Sequence, residues 1–538
     1  MSPRWVLDGL HRIDETATRL SIARLCRKQT VAVGSLFLLA AALRFFGLWW
    51  GAPERVDLHP DEMEHVMRHA LSISLADPDP HFLNYPSLLI YMIAILNGAL
   101  TRLGWVTEPW QSYIVARAIV ASFGAATAPA VFWLVSELTG SVLAATLSGL
   151  WLALLPLHVW ESHFAVTDVV MTFWIVVVLA LSVRLLHRDG VRDYGLTGAA
   201  IGLAVASKYT AALVVVSPLV ASLLAARPVS ASLIGLAVLG IAALFFCFLG
   251  TPFTFLHFSQ FRQAMAFEYD HVHSLHYGFS LPAVGWQYHK YVYELCAGFP
   301  FSLGFALYGS AVAGSVWVLW HLRRENVVVL VFGASFFAIL AHWTFVPLRY
   351  QLPVLVVGTA LAGMWQAAWL ESASRTQQAL AAATVLVTGL YTAVFVVQTT
   401  ARLRHDTRIE AAHWLDQTLR PGQRLLFCGY SPYLAIPSDP RIIVDAVNEA
   451  WISHLTDRHA VDLVEISSMH YWRHERHQHP AFAPEYRRFR AGEKGFRLVK
   501  RFDADFLNRE LYRRLDPMFA GYFISPELEF YARDDGGA

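Results

Sequence analysis

A dense group of acids and histidines, Asp57-Leu-His-Pro-Asp-Glu-Met-Glu-His65, follows the first strongly apolar segment, which ends near Trp50. Ionisable groups at a membrane edge are costly to keep there without a use. A carboxylate in such a place can take a proton from a hydroxyl. Met63, Val66, Met67, Ala70 and Leu71 recur at helical spacing, so a helix with one apolar stripe is expected, lying on the membrane. Pro60 suits its first turn, and Asp61 and Glu62 sit at its positive N-terminal end. Acids in a first turn are also an ordinary helix start. A second acid closes the run Glu161-Ser-His-Phe-Ala-Val-Thr-Asp168, where Thr167 or Asp168 could equally be a helix cap. Lys208 lies inside an apolar stretch, where a lone lysine is usually paired or aimed at an anion. Arg349, in Pro347-Leu-Arg-Tyr-Gln-Leu-Pro353, is expected on the outer side, against the positive-inside trend. Either cation could instead snorkel to the interface.

Two cations and two or more carboxylates at one membrane face suit a membrane-bound phosphate with a proton-accepting base. The reaction this fits is glycosyl transfer from a polyprenyl-phosphate sugar. The phosphate is already a good leaving group, so cations need only hold and neutralise it. A carboxylate then serves as base for the acceptor hydroxyl. Such a donor enters sideways from the bilayer, with its head at the outer face.

These residues need a membrane scaffold, and the composition supplies one. Of 538 residues 56% are hydrophobic, 13% aromatic and 15% charged, with mean hydropathy +0.42. That composition is a polytopic membrane protein with room for a soluble domain. A net charge of +1 gives no case for nucleic acid. The four cysteines are scattered without metal-ligand spacing, so neither a disulfide nor a zinc site is expected. Residues 1–29 read as a basic cytoplasmic leader. Spanning segments fall near 30–50, 112–135, 142–160, 168–187, 195–207, 210–226, 230–250, 298–320, 326–345, 352–370 and 377–398, about eleven in all. Segment 86–103 is apolar but is expected to dip into the outer leaflet rather than cross. With that count the basic loops lie inside, and Asp61, Asp168 and the C-terminal region lie outside. The outer loops are 51–111 and 251–297. The second carries Glu268-Tyr-Asp-His-Val-His-Ser-Leu-His276, which reads either as a His-rich ligand loop or as an interfacial aromatic belt with Trp286, Tyr288 and Tyr291.

From 401 to 538 the composition turns charged. Thr407–Leu419 is expected as a helix, and Arg424–Cys428, Ile442–Asp445, Val461–Ile466, Phe496–Phe502 and Leu528–Tyr531 as strands. The reading is a small soluble α/β domain with a mainly parallel sheet. Gly429-Tyr-Ser-Pro reads as a strand-end turn, not a phosphate loop.

The chain resembles the GT-C glycosyltransferases that use polyprenyl-phosphate sugars, the group of the protein O-mannosyltransferases and the lipid A aminoarabinose transferase. The resemblance rests on His59-Pro-Asp-Glu62, Asn84-Tyr-Pro-Ser-Leu-Leu-Ile-Tyr91, Ala165-Val-Thr-Asp168, Ala206-Ser-Lys-Tyr-Thr210, Thr251-Pro-Phe253 and Leu348-Arg-Tyr-Gln-Leu-Pro353, across most of 30–400. It implies an all-α polytopic GT-C domain over 30–400, followed by the small α/β domain. It implies Asp61 as catalytic base or acceptor-positioning group, Glu62 as its companion, Asp168 as the second acid, and Lys208 and Arg349 near the donor phosphate. His59, Tyr85, His163, Tyr209, Glu268, His271 and Tyr350 are further candidates for substrate contact. It implies inversion at the anomeric carbon, and no metal or other cofactor is expected. The expected partners are the lipid-linked donor, a lipid, glycan or protein acceptor, and the bilayer of the cytoplasmic membrane. One departure is Tyr85, where the aminoarabinose branch has a lysine before the proline.

Two other functions suit many spans and buried charges. A flippase for a lipid-linked glycan would want paired broken helices, and one break, near Lys208, is visible. A non-catalytic envelope assembly protein would tolerate asparagine at Asp61 and Asp168.

Overall fold

A computed structural model describes residues 29–54, 56, 58–188, 190–274, 289–345, 347–428, 442–445, 461–468, 483–503, 511 and 526–534. The expected leader, Asp57, His276, Trp286, Tyr288 and the Gly429 turn lie outside the described residues.

The described residues between 29 and 404 form a helical bundle. Among the described residues, five helices are long and apolar enough to cross a membrane, at Pro109–Thr139, Thr167–Leu185, Val229–Gly250, Leu348–Leu370 and within Arg375–Thr418. Five shorter apolar helices accompany them, including Gln29–Phe45, Leu88–Arg102 and Val142–Ala153. Two expected spans are broken by single residues. Pro156 starts a new short helix, Pro156–Glu161, because the residue before a proline is driven out of helical geometry. Gly304, at φ 75°, separates Phe299–Leu303 from Phe305–Trp320. The break expected near Lys208 is present. Val191–Ser207 ends there, Lys208 is extended at φ −157°, and a 3-10 turn resumes at Tyr209.

Small residues set the closest helix approaches. Val191–Ser207 lies against Val229–Gly250 along Gly198 and Gly202, where an added Cβ would run into the carbonyls of Leu239 and Ala243. Gly363 likewise meets Ser148, bringing Leu352–Leu370 onto Val142–Ala153. Close backbone approach at small residues is how helices pack in lipid, where hydrophobicity alone gives no preference.

Two local expectations change. The helix after Pro60 is a π-helical turn, Glu62–Met67, continued by Arg68–Ser72. Its apolar stripe is divided, with Leu71 exposed and most of the rest turned inward. Val66, Met67 and Ala70 are buried in the main bundle core. Part of the 251–297 loop is also helical, Phe258–His273, with no buried residue.

The C-terminal strands are β1 Leu425–Cys428, β2 Ile442–Asp445, β3 Leu463–Ser467, β4 Phe496–Phe502 and β5 Leu528–Arg533. They form one sheet in the order β2-β1-β3-β5-β4. The sheet is mixed rather than mainly parallel. β1 pairs parallel with β2 and β3, whereas β5 runs antiparallel between β3 and β4. Thr407–Thr418 buries Ala411, Ala412 and Leu415 against Phe502, Leu528 and Phe530. The helix starts cleanly because Asp406 caps it, accepting from the Arg408 amide.

Candidate active site

Four charged side chains from four distant parts of the chain meet at one end of the bundle. Asp61 comes from the turn after the first helix, Asp168 from the first turn of Thr167–Leu185, Lys208 from the helix break, and Arg349 from the 3-10 turn that opens Leu348–Leu370. Lys208 Nζ donates to Asp168 Oδ1 at 2.6 Å. Arg349 Nη2 pairs closely with Asp61 Oδ2, and its Nε lies 3.6 Å from Asp168 Oδ2. Arg349 thus bridges the two acids. Tyr350 caps the cluster, its ring centroid 4.0 Å from Lys208 Nζ, and the ring of Tyr85 lies 6.0 Å from the same nitrogen.

Asp61 keeps the most open side chain of the two acids, 22% exposed against 3% for Asp168. Burial alone would raise its pKa, but Arg349, His59, His65 and Lys208 outweigh that and hold it at about 2. It is therefore ionised at any ordinary pH. His65, one turn on, approaches it to 3.8 Å.

Glu62, expected as a catalytic companion, is not in the cluster. It is fully buried, and Arg117 grips both its oxygens at 2.8 and 2.7 Å. Its Oε1 also accepts from the Ala165 amide. Arg117 completes the clamp on the carbonyls of Leu48, Trp50 and Val56. Glu62 thus fixes the Asp61 turn to the backbone just before Asp168, and its atoms are committed to that. Arg117 was invisible in the spacing of the outer-loop motifs. The signal was an arginine inside an apolar span, which by its cost marks a position with a partner.

The weaker candidates divide. His59 is buried, its Nδ1 accepts from the Glu62 amide, and burial with the nearby Arg349, Arg117 and Arg408 depresses it to about 3, so its ring is neutral. His163 bonds the carbonyls of Val159 and Phe46, which ties its turn to the end of the first helix. Tyr209 bonds Leu83 O and Thr254 Oγ1, joining the helix break to the Pro252–Leu256 turn. Glu268 accepts from Asn84 Nδ2 at 2.8 Å, so Phe258–His273 is fastened beside Tyr85. His271 meets Phe345, which in turn meets Tyr350. Tyr85 and Tyr350 therefore touch the cluster. His59, His163 and Tyr209 shape its surroundings. Glu268 and His271 belong to the flanking helix. Among the described residues, no group of three or more His, Cys, Asp or Glu is arranged to hold a metal ion.

The arrangement can bind a phosphate. Both cations are held by acids, and a phosphate could draw on them while one acid stays accessible. Residues 35–267 match the sequence profile of the family described as dolichyl-phosphate-mannose-protein mannosyltransferase. No curated protein matches the chain. Among solved structures, ArnT from Cupriavidus metallidurans bound to undecaprenyl phosphate is similar at 14% identity and TM-score 0.49, over 92% of this chain and 97% of that one. The apo oligosaccharyltransferase of Archaeoglobus fulgidus is similar at 12% identity and TM-score 0.49, over 82% of this chain and 70% of that one. The S. cerevisiae protein O-mannosyltransferase Pmt1-Pmt2 complex bound to the sugar donor is similar at 18% identity and TM-score 0.34, over 44% of this chain and 34% of that one. These three are loose likenesses of fold. Over residues 35–267, which hold Asp61, Glu62, Asp168 and Lys208, the chain is similar to the dolichyl-phosphate-mannose-protein mannosyltransferase family.

Proposed function

We propose that this protein is a membrane glycosyltransferase that moves a sugar from a polyprenyl-phosphate-linked donor to an acceptor hydroxyl, with inversion, on the outer face of the cytoplasmic membrane. The observation that carries the reading is the Arg349 bridge. One cation joins two acids, and a second cation holds one of them. Arg349 and Lys208 bind the donor phosphate. Asp61 takes the proton of the acceptor hydroxyl. The acceptor oxygen bonds to the anomeric carbon as the bond from that carbon to the phosphate oxygen breaks, and the lipid phosphate leaves with the electron pair. Asp168 keeps Lys208 and Arg349 in place, and no metal takes part.

In the resting site Asp61 is a poor base, because its neighbours hold it near 2. A donor phosphate engages Arg349 and brings negative charge beside Asp61. Both effects raise the basicity of Asp61, so the base is strengthened only once the donor is seated.

The test is transfer of labelled sugar from a synthetic polyprenyl-phosphate donor to membrane extract, with and without chelator. Wild type is expected to transfer in both conditions, and Asp61→Asn to lose at least 100-fold, about the low end of a general-base contribution. Equal transfer by the variant would remove Asp61 from the mechanism, and loss on chelation would restore a metal. The profile of kcat/KM reports the free enzyme, so no acid limb is expected above about pH 3.

A further inference from the structure

Glu161 ends the Pro156–Glu161 helix, and no step above uses it. It is 8% exposed, and its Oε2 is enclosed with no hydrogen-bond partner among the described residues. A carboxyl enclosed in this way is costly unless something completes it. Its surroundings are those of the charged cluster. Arg349, Asp168, Asp61 and Lys208 all act on it through space. The turn that carries Arg349 and Tyr350 packs on its helix, as does Thr167–Leu185. Among the described residues, Phe299–Leu303 and Arg375–Ala401 also pack there, and they bring no carboxylate or histidine, only Arg375 and Tyr391 as titratable groups. His158, on its own helix, is turned to Arg44.

Glu161 differs from the two other acids in its partners. Arg349 and Lys208 are held by Asp61 and Asp168. Burial pushes its carboxyl up, with Arg349 opposing and Asp168 and Asp61 adding, to about 8. It is protonated at neutral pH. A neutral carboxylic acid can both donate and accept a hydrogen bond while adding no charge. That suits a sugar hydroxyl. A phosphate is served by the cations.

We propose that Glu161 binds a hydroxyl of the transferred sugar, next to the cations that hold its phosphate. This rests on the transfer reading above.

The experiment uses the full-length protein in detergent and two probes, farnesyl-phosphate mannose and sugar-free farnesyl phosphate, titrated calorimetrically. Wild type is expected to prefer the sugar-bearing probe. Glu161→Ala should weaken that probe about tenfold, the scale of one hydrogen bond with an unmet partner, and leave farnesyl phosphate unchanged. Glu161→Gln keeps a neutral donor and acceptor and should keep most of the preference. The wild-type preference should fade as pH rises through about 8, when the carboxyl ionises, and the glutamine variant should not show that fade. Should Glu161→Ala misfold, the pH comparison between wild type and Glu161→Gln decides alone. Equal weakening of both probes, or a wild type that holds both equally, overturns the sugar contact. A wild type that binds neither probe overturns the transfer reading itself, and this inference with it.

Discussion

Neighbouring acids, Asp61 and Glu62, have opposite fates. Asp61 points to the cations and stays partly open, whereas Glu62 is enclosed in a buried ion pair with Arg117. A buried pair contributes little net stability compared with apolar packing, but breaking it leaves a buried charge without a partner. Glu62→Gln is expected to cost about 3 kcal/mol by that mechanism, read as a lowered midpoint in thermal unfolding of the purified protein. An unchanged midpoint would mean that Arg117 is held by its three backbone carbonyls alone. The pair also explains why Asp61 is well placed. The same arginine binds the carbonyls of Leu48, Trp50 and Val56 on the chain leading to Asp61, and Glu62 takes the Ala165 amide, so Asp61 is presented by anchored backbone.

At the scale of elements, position depends on helix breaks and small residues. Lys208 reaches Asp168 because its backbone is extended between two helices. Arg349 reaches both acids from a 3-10 turn. The helix that ends at Lys208 is held by Gly198 and Gly202 against Val229–Gly250. Gly202→Val would push those helices apart, at about 1–3 kcal/mol for an overpacked contact. The expected result is a lower unfolding midpoint together with weaker binding of farnesyl phosphate, since Lys208 moves with its helix. Gly240→Ala is the control, because nothing lies within 4 Å of a Cβ added there. If both variants behave as wild type, the glycine contact does not position Lys208.

At the scale of the whole molecule, the sheet region is fastened behind the Asp61 turn. Trp50 Nε1 donates to Asp406 Oδ2 at 3.0 Å. Arg408 pairs with the same carboxylate and reaches the carbonyl of Leu58 at 3.1 Å. Trp50, Leu58, Phe164, Val166 and Leu403 form a small core between the two parts. Asp406→Asn leaves Arg408 without its counter-charge. The expected outcome is at least tenfold faster proteolysis between residues 401 and 424, from a charged hydrogen bond of about 1.5 kcal/mol or more. Cleavage at the wild-type rate would show that the apolar core alone fastens the two regions.

Apolar runs, the Lys208 break, the helix from Thr407 and all five strands could be read from the sequence, because each is set by residues within a few positions. So could the types of the charged residues that meet in the cluster. Partners could not be read in this way. Glu62 and Arg117 are 55 positions apart, and nothing local says that this acid rather than its neighbour is the one to be buried. Nor does spacing show that β5 inserts antiparallel between β3 and β4, that the helix after Pro60 turns most of its stripe into the bundle, or that Glu161 is left without a cation. Pairing between distant groups depends on which surfaces come to face each other. Burial then makes the choice decisive, because in a dry interior a charge with a partner and a charge without one differ by several kcal/mol.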